Sequence, residues 1–297
     1  MAKKLFAKGK GGRLDRWILG GIVISLVLIG LTLWGPLRTF RPTDGEKTKQ
    51  EKKSEKKTGK KEKKKHGESA VTEPDEKAVL IAIVIDDLGQ DVKQAREVLS
   101  LPGRITLAIM PGLGQARKIA ALAKQDNREV LIHLPMEPRG KNGRPAPGML
   151  RSDMTPMEFL TIVSDDVESV PGAVGINNHE GSALTENKEA MKFLMAELKA
   201  RNLMFLDSLT SAKSVAYATA KEFGLKSAKR DVFLDNEGDN PAYIRKQLDE
   251  LTDIARNHGR AIGIGHPHPA TISELRKWLV EADEQGFEVV PVSRLMN

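Results

Sequence analysis

Apolar residues are distributed along the chain in two different ways. Residues 17–37 form one predominantly apolar stretch without a charged side chain, and Trp17 and Trp34 lie near its ends. A stretch of about 20 such residues is long enough to cross a bilayer as a helix, and tryptophan is favoured at both membrane interfaces. The stretch is longer than the apolar region of a signal peptide and is not followed by a small-residue cleavage site. It therefore predicts an uncleaved transmembrane anchor.

Residues 78–297 instead carry short apolar runs that alternate with segments of helical period. Such alternation predicts parallel strands joined by right-handed crossovers. Seven or eight units in this length favour an α/β fold, a distorted (β/α) barrel, and an open doubly wound sheet is the alternative. The runs are Val79–Ile85, Ile105–Met110, Glu129–Leu134, Ala173–Ile176, Leu203–Leu206, Asp231–Leu234, Ala261–Ile264 and Glu288–Val292.

Capping signals and apolar spacing locate several helices of this domain. Thr-x-x-Glu capping boxes predict helix starts at Thr155, which is followed by proline, and at Thr271. Apolar residues three and four positions apart predict two further helices with one buried face. Their apolar positions are Met191, Leu194, Met195 and Leu198 in one helix and Ile244, Leu248, Leu251 and Ala255 in the other.

Charge separates the domain from the residues that precede it. Residues 1–16 carry six Lys/Arg against one Asp, and residues 38–77 carry fourteen Lys/Arg against nine Asp/Glu. The first segment is a basic N-terminal tail, and the second is too poor in apolar residues to fold, which predicts a disordered Lys/Glu-rich linker. Residues 78–297 hold 27 basic and 30 acidic residues, so the folded part is mildly acidic and no nucleic-acid partner is expected.

The basic tail before the apolar stretch favours a cytoplasmic N-terminus. Basic residues after the stretch compete with it, but long downstream domains are translocated largely regardless of their charge. The sequence therefore predicts a single-pass protein of the cytoplasmic membrane. Its N-terminus lies inside, and its domain lies on the periplasmic or extracellular side.

Polar residues follow most of the predicted strands. The C-terminal ends of parallel strands meet at one rim, where the active groups of such domains lie. Carboxylates and imidazoles that converge there are costly to bury without a cation, and this combination suits Zn²⁺ better than Ca²⁺ or Mg²⁺. The chain has no cysteine and no Gly-x-Ser-x-Gly elbow, so a metal-activated water is the favoured mechanism. The candidates at strand ends are Asp86, Asp87, His133, Glu137, Asn178, His179, Asp207, Asp231, Asp235, His266 and His268.

The order of these strand-end motifs resembles a known family. IVIDDLG, LAIMP, LIHLPMEP, GINNHEGS, FLDS, KRDVFLDN and IGIGHPHP follow one another within residues 79–296. Together they resemble the divergent polysaccharide deacetylase family, a relative of the carbohydrate esterases that remove N- or O-acetyl groups from chitooligosaccharide, peptidoglycan and xylan. The resemblance implies a distorted (β/α) barrel, a divalent metal that is usually zinc, and a carbohydrate polymer or oligosaccharide as substrate.

The resemblance also implies roles for individual residues. Asp86 stands at the place of the catalytic base, Asp87 at that of a metal ligand, and His266 at that of the general acid. The relatives bind metal through a His-x-x-x-His pair. His133 matches its first position, whereas Glu137 stands at the second.

The third metal ligand and the oxyanion site depart from the relatives' pattern. Their Arg-x-Pro-Tyr motif, which helps to form the oxyanion site, is replaced here by Asn177-Asn178-His179-Glu180. His179 is the expected third ligand, and Glu137 is the alternative. The other candidates are expected to orient histidines, hold sugar hydroxyls or line the cleft: Asn178, Asp207, Asp231, Asp235 and His268.

Two other classes of function stay open on the sequence. One is a non-catalytic carbohydrate-binding protein of the cell envelope that keeps the same barrel. The other is a metal-free glycoside hydrolase that uses paired carboxylates. Metal content separates the glycosidase from the other two functions, and turnover of an acetylated sugar separates the enzyme from the binding protein.

Overall fold

Parallel strands alternate with helices over most of the domain. The computed structural model describes residues 78–140 and 148–297. The strands are β1 (Val79–Leu88), β2 (Thr106–Ile109), β3 (Val130–Met136), β4 (Gly175–Glu180), β5 (Met204–Asp207), β6 (Ser227–Lys229), β7 (Val232–Phe233), β8 (Arg260–Gly265) and β9 (Phe287–Val289). The helices are α1 (Val92–Leu99), α2 (Ala116–Gln125), α3 (Pro156–Ser169), α4 (Lys188–Ala200), α5 (Ala216–Glu222), α6 (Pro241–His258) and α7 (Pro269–Glu284).

The predicted tail (1–16), transmembrane anchor (17–37) and linker (38–77) lie outside the described residues. Within the two described ranges, no helix combines the length and the apolar character needed to span a membrane. The anchor and the linker therefore stay predictions.

The strands form one sheet in the order β6-β5-β4-β3-β2-β1-β8-β7, and β9 pairs with the first residues of β1. All of these pairs are parallel, as the alternating pattern predicts. Each of the eight predicted apolar runs overlaps a strand, and several strands extend beyond the run. The pattern misses β6, because Ser227-Ala228-Lys229 is too short and too polar to stand out as an apolar run.

β6 and β7 are the two end strands of this sheet, and only Arg230 and Asp231 lie between them in the chain. The backbone amide of Arg230 donates to the carbonyl of Asp207, at the end of β5, over 3.0 Å. The next amide, that of Asp231, donates to the carbonyl of Ile262 in β8 over 2.9 Å. The sheet therefore curls round and fits a (β/α) barrel rather than an open doubly wound sheet.

Alternate residues of the strands pack into two separate apolar clusters. Ile81, Ile83 and Ile85 of β1 face the cluster formed with the helices. Ala82 and Val84 face a second cluster, which includes residues of β3, β5 and β8 and the C-terminal segment. This second cluster fills the inside of the curled sheet. The next inward position of β1 after Val84 is Asp86, so the alternation that builds the core also aims this carboxylate into the barrel.

Three of the four helix predictions are confirmed. The apolar residues predicted to share a face are buried on α4 and on α6. The side chains and backbone amides of Thr155 and Glu158 form the expected capping box of α3. The prediction at Thr271 is wrong, because α7 already begins at Pro269, with His268 as its N-cap residue. Thr271 is the third residue of this helix and is buried, and its hydroxyl donates to Asp235 over 2.8 Å.

Candidate metal centre

Polar side chains occupy the last inward-facing layer at the C-terminal ends of the strands. Asp86 follows Ala82 and Val84 along the inner face of β1, and His133 follows Leu131 along that of β3. On β4, Ile176 belongs to the outer cluster, so Asn177 faces inward. His266 follows Ile264 at the end of β8. The side chains of a strand alternate between its two faces, so the last inward-facing positions of these four strands meet above the apolar inside of the barrel. They form one polar ring of Asp86, His133, Asn177 and His266.

A bulge at the end of β1 brings two consecutive carboxylates to the same site. The pairing of β1 with β2 shifts register between Ile85 and Leu88, and Asp87 has a positive φ of 58°. Adjacent residues of a regular strand face opposite sides, and this left-handed residue breaks that rule. Consequently the Asp86 Oδ2 atom lies 3.6 Å from His133 Nδ1, and the Asp87 Oδ1 atom lies 3.1 Å from His133 Nε2.

Asp87, His133 and His179 present three potential ligand atoms to one another. Asp87 Oδ1 is 3.1 Å from His133 Nε2 and 3.0 Å from His179 Nδ1, and the two histidine nitrogens are 3.1 Å apart. These are the three residues that the sequence analysis assigns to the metal. The structure brings them together, and their role as ligands stays a prediction.

The donor set of this triangle fits a divalent cation. If both histidine nitrogens carried protons toward Asp87, their own contact at 3.1 Å would set two N–H groups against each other. If either nitrogen lacked its proton, a lone pair would face the carboxylate. A single cation satisfies all three atoms, since ligand atoms about 2.0–2.2 Å from zinc in a tetrahedral site lie about 3.3–3.6 Å apart, a few tenths of an ångström more than the distances found here. One carboxylate with two imidazoles is also a donor set that zinc favours.

Protonation of the triangle follows from its contacts. Partial burial opposes ionisation of Asp87, but hydrogen bonds from His133 and His179 hold the pKa of this carboxyl well below its usual range. Burial alone lowers the pKa of His133, but the charges of Asp86 and Asp87 outweigh burial and raise it. Asp87 is therefore an anionic group at neutral pH and is ready to accept a cation.

Asp86 lies beside this triangle and is almost completely buried, with 2% of its surface exposed. Burial raises the pKa of its carboxyl, against the opposing charges of His133 and His266. A carboxylate with a raised pKa is a stronger proton acceptor than an exposed aspartate. These properties suit the predicted role of Asp86 as general base.

His266 lies at the end of β8, the strand that pairs with β1, and is held by Asp235. The His266 Nδ1 atom lies 2.9 Å from Asp235 Oδ1, and its Nε2 atom lies 3.8 Å from Asp87 Oδ2. Burial of the ring lowers its pKa, but the hydrogen bond and the charge of Asp235 prevail and raise it to about 9. The ring therefore carries a proton at neutral pH and presents it from Nε2, which suits a general acid.

Asp235, His266 and His268 form a second group of potential ligands whose ligand atoms lie within 4.8 Å of one another. The Asp235 carboxylate already accepts three hydrogen bonds, from the Nδ1 atom and the backbone amide of His266 and from the Thr271 hydroxyl. This residue therefore orients His266. The His268 ring lies 5.8 Å from the His266 ring, on the side of the cleft where α7 begins.

Two of the predicted site residues, Glu137 and Asn178, form their hydrogen bonds outside the triangle of Asp87, His133 and His179. Glu137 accepts hydrogen bonds from the backbone amide and the hydroxyl of Ser152. Asn178 bonds the Ser208 amide and the Glu180 carbonyl.

Two predicted aspartates, Asp207 and Asp231, also bind backbone groups and form no hydrogen bond with the triangle of Asp87, His133 and His179. Asp207 accepts from the amides of Leu209 and Tyr217 and from the Ser214 hydroxyl, which holds the loop between β5 and α5. Asp231 accepts from the Ile262 amide. Among these four residues and Asp235, the structure thus supports the predicted orienting role for Asp235 alone.

Sequence reasoning assigned no role to Asn177 and none to Phe233. Asn177 bridges Asp86 and His133, with its Nδ2 atom 2.8 Å from Asp86 and its Oδ1 atom 3.0 Å from His133 Nδ1. The centre of the Phe233 ring lies 5.3 Å from that of the His266 ring, and the Arg230 guanidinium lies over the Phe233 ring, 4.9 Å from its centre. Inward- and outward-facing positions alternate along a strand, so counting from the outward-facing Ile176 would have predicted that Asn177 faces inward. Nothing in the local sequence marks Phe233.

Comparison with known proteins gives one family and several relatives. A family model described as divergent polysaccharide deacetylase matches residues 83–296. The uncharacterized protein YibQ of Escherichia coli strain K12 is 41% identical over 217 residues, which is 73% of this chain and 67% of the relative. An uncharacterized protein of Haemophilus influenzae is 39% identical over 199 residues, covering 67% of this chain and 70% of the relative.

Solved structures contain the same fold. The crystal structure of an uncharacterized protein from Agrobacterium tumefaciens C58 superposes with a TM-score of 0.71 and 28% identity. The match covers 75% of this chain and 91% of that protein.

Proposed function

This chain belongs to the divergent polysaccharide deacetylase family, and from that premise we propose that it is a metal-dependent hydrolase that removes acetyl groups from an envelope polysaccharide or oligosaccharide. The observation that carries the proposal is the triangle of Asp87, His133 and His179, with Asp86 on one side and His266 on the other. A carbohydrate substrate follows from the family. The metal, the acetyl group and the envelope are the proposed part.

Three of this chain's residues would hold the metal, namely Asp87, His133 and His179. When bound, a divalent cation such as zinc supplies Lewis-acid activation of a water and of a carbonyl group. The Asp86 carboxylate accepts the proton of the attacking water. It is placed for this by burial and by the hydrogen bond from Asn177.

His266 completes the reaction at the leaving group. Water adds to the acyl carbon and the bond from that carbon to the sugar nitrogen or oxygen breaks, so that acetate and a free amine or hydroxyl are formed. The leaving atom takes its proton from His266 Nε2. Asp235 keeps the Nδ1–H of this ring engaged over 2.9 Å, so the ring cannot turn away.

A metal-free glycosidase is less well supported. Its mechanism needs two carboxyl groups free to act on either side of a glycosidic bond. Here Asp87 is engaged by two histidines, and Asp86 is the neighbouring carboxyl on the same bulge. The third carboxyl near these groups, that of Asp235, already accepts three hydrogen bonds from His266 and Thr271.

Acetate release tests the proposed function directly. The purified protein is expected to release acetate from at least one of acetylated chitooligosaccharide, peptidoglycan fragments and acetylxylan. Chelation should abolish the release and zinc should restore it, because the metal supplies the activation that no other group provides. Asp86→Asn serves as the matched control, since it should keep the metal and lose the activity. Bound zinc without turnover of any of these substrates would support a binding protein and overturn the deacetylase.

We further propose that residues 17–37 hold the domain on the periplasmic or extracellular side of the cytoplasmic membrane. The support is the charge-free apolar stretch and the basic tail before it. The full chain is expected to sediment with membranes after a high-salt wash, and a chain lacking residues 1–40 is expected to be released. Protease added to spheroplasts should digest the domain of the full chain. A truncated chain that still sediments, or a domain protected from protease, would contradict the proposal.

A further inference from the structure

Asn177 occupies the centre of the polar ring. Its side chain is fully buried, and it pairs in register with His133 of the neighbouring strand. Asp86, which it also contacts, lies on β1, two strands further along the sheet from β3. The Asn177 amide therefore crosses the inside of the barrel and connects groups that the backbone pairing keeps apart.

The hydrogen-bond partners of the Asn177 amide determine its orientation. Its Nδ2 atom lies 2.8 Å from Asp86 Oδ1 and 3.2 Å from the Ser208 hydroxyl, and its Oδ1 atom lies 3.0 Å from His133 Nδ1. The reverse orientation would set a carbonyl oxygen against a carboxylate. An amide has two donors on one end and only acceptors on the other, so the observed orientation is the one that satisfies both neighbours.

This orientation determines which nitrogen of His133 carries a proton. The Oδ1 atom of Asn177 can only accept, so the Nδ1 atom of His133 must donate to it. The lone pair of the neutral ring is then on Nε2, the atom that faces Asp87 and His179. Hydrogen bonds of this kind set the tautomer and the orientation of metal-binding histidines and raise metal affinity.

The other end of the same amide orients Asp86. The Nδ2 donor fixes Asp86 Oδ1, and the other oxygen of the carboxylate is the one that lies 3.6 Å from His133 Nδ1. A donor to the ionised carboxylate in a buried site also stabilises the form that accepts a proton. One side chain thus acts on both the predicted ligand and the predicted base.

We propose that Asn177 is a positioning residue that couples the metal ligand His133 to the general base Asp86. The inference rests on the proposed function for the role of Asp86, whereas the part concerning His133 depends on metal binding alone. Asn178, the next residue, provides a matched control. It is also a buried asparagine of β4, but it bonds Ser208, Glu180 and Thr210 and touches neither His133 nor Asp86.

Zinc binding by the full chain tests the first half of the proposal. Asn177→Ala is expected to lower zinc affinity by about 10–100-fold, which is the usual effect of losing an outer partner of a histidine ligand. Asn178→Ala should bind zinc close to the wild-type affinity. Equal losses in the two variants would show a general effect on β4 and overturn the specific role. Wild-type affinity in Asn177→Ala would overturn it as well.

Nitrogen-resolved NMR of the zinc-loaded wild type gives a second measurement that needs no variant and no substrate. The His133 Nδ1–H is expected to appear as a slowly exchanging proton, because it is buried and bonded to Asn177. Coordination through Nδ1, with the proton on Nε2, would overturn the proposal even if Asn177→Ala failed to fold.

Kinetics test the second half of the proposal once a substrate is found. In zinc-saturated Asn177→Ala, kcat should fall while KM changes little, since Asp86 is misplaced but the substrate contacts are intact. A wild-type kcat in this variant would show that Asn177 does not position Asp86. A chain that turns over no acetylated glycan would refute the proposed function, and the zinc and NMR results would still decide the role toward His133.

Discussion

His179→Ala is expected to lose zinc almost completely at micromolar metal, while Glu137→Ala keeps it. Loss of an outer hydrogen-bond partner costs roughly 10–100-fold in affinity, and loss of one of three protein ligands should cost more. His179 Nδ1 lies 3.0 Å from Asp87 and 3.1 Å from His133, so it completes the triangle. Glu137 instead accepts two hydrogen bonds from Ser152.

The measurement is zinc content of each purified variant after dialysis against a defined free-zinc concentration. Circular dichroism should show that both variants are folded, because His179 is only partly buried and Glu137 lies outside the cluster. If His179→Ala keeps its full zinc content and Glu137→Ala loses zinc, the third ligand is Glu137 and not His179. If neither variant loses zinc, the triangle of Asp87, His133 and His179 is not the metal site.

His266→Ala is expected to lower the rate of acetate release by about 10²–10⁴-fold without changing zinc content. The ring presents Nε2 toward the triangle, and Asp235 holds its other nitrogen, which together suit proton donation to the leaving group. The variant should keep its metal because the His266 Nε2 atom, at 3.8 Å from Asp87, lies outside the triangle of 3.0–3.1 Å contacts.

His268→Ala is the matched comparison for this prediction. The two rings belong to the same His-Pro-His-Pro stretch, and their centres are 5.8 Å apart. His268 is the N-cap residue of α7 and is expected to line the cleft, so its loss should have a milder effect on the rate. Wild-type activity in His266→Ala with an inactive His268→Ala would reverse the two assignments. Loss of zinc in His266→Ala would make His266 a ligand instead of an acid.

The type of fold and the location of the site were predictable because both depend on local periodicity. A buried parallel strand must be apolar over several residues, so eight runs could be read directly and each overlaps a strand. Parallel strands must end at one rim, so polar residues at those ends had to meet. These two arguments need no knowledge of which strand pairs with which. They place Asp87, His133 and His179 among the candidates at the rim, and the family resemblance is what implies that these three bind the metal.

The same arguments could not separate catalytic carboxylates from those that hold loops. Asp207, Asp231 and Asp235 all stand near strand ends, yet only Asp235 contacts a histidine of the cluster. The other two accept hydrogen bonds from backbone amides. Which task an aspartate performs depends on what lies opposite its side chain, and that is decided by pairings between distant parts of the chain.

The alternating strands and helices, the rim of the barrel and the chemical types of residue that meet there could be predicted from the amino-acid pattern, because they follow from short-range periodicity. The connections between these groups became visible only in the folded domain. The left-handed Asp87 puts two adjacent carboxylates on one side of β1. Asn177 joins Asp86 to His133 across the barrel, and the segment of β6 and β7 connects the two ends of the sheet. Each of these features depends on strand register and on curvature of the sheet, which no local pattern of residues specifies.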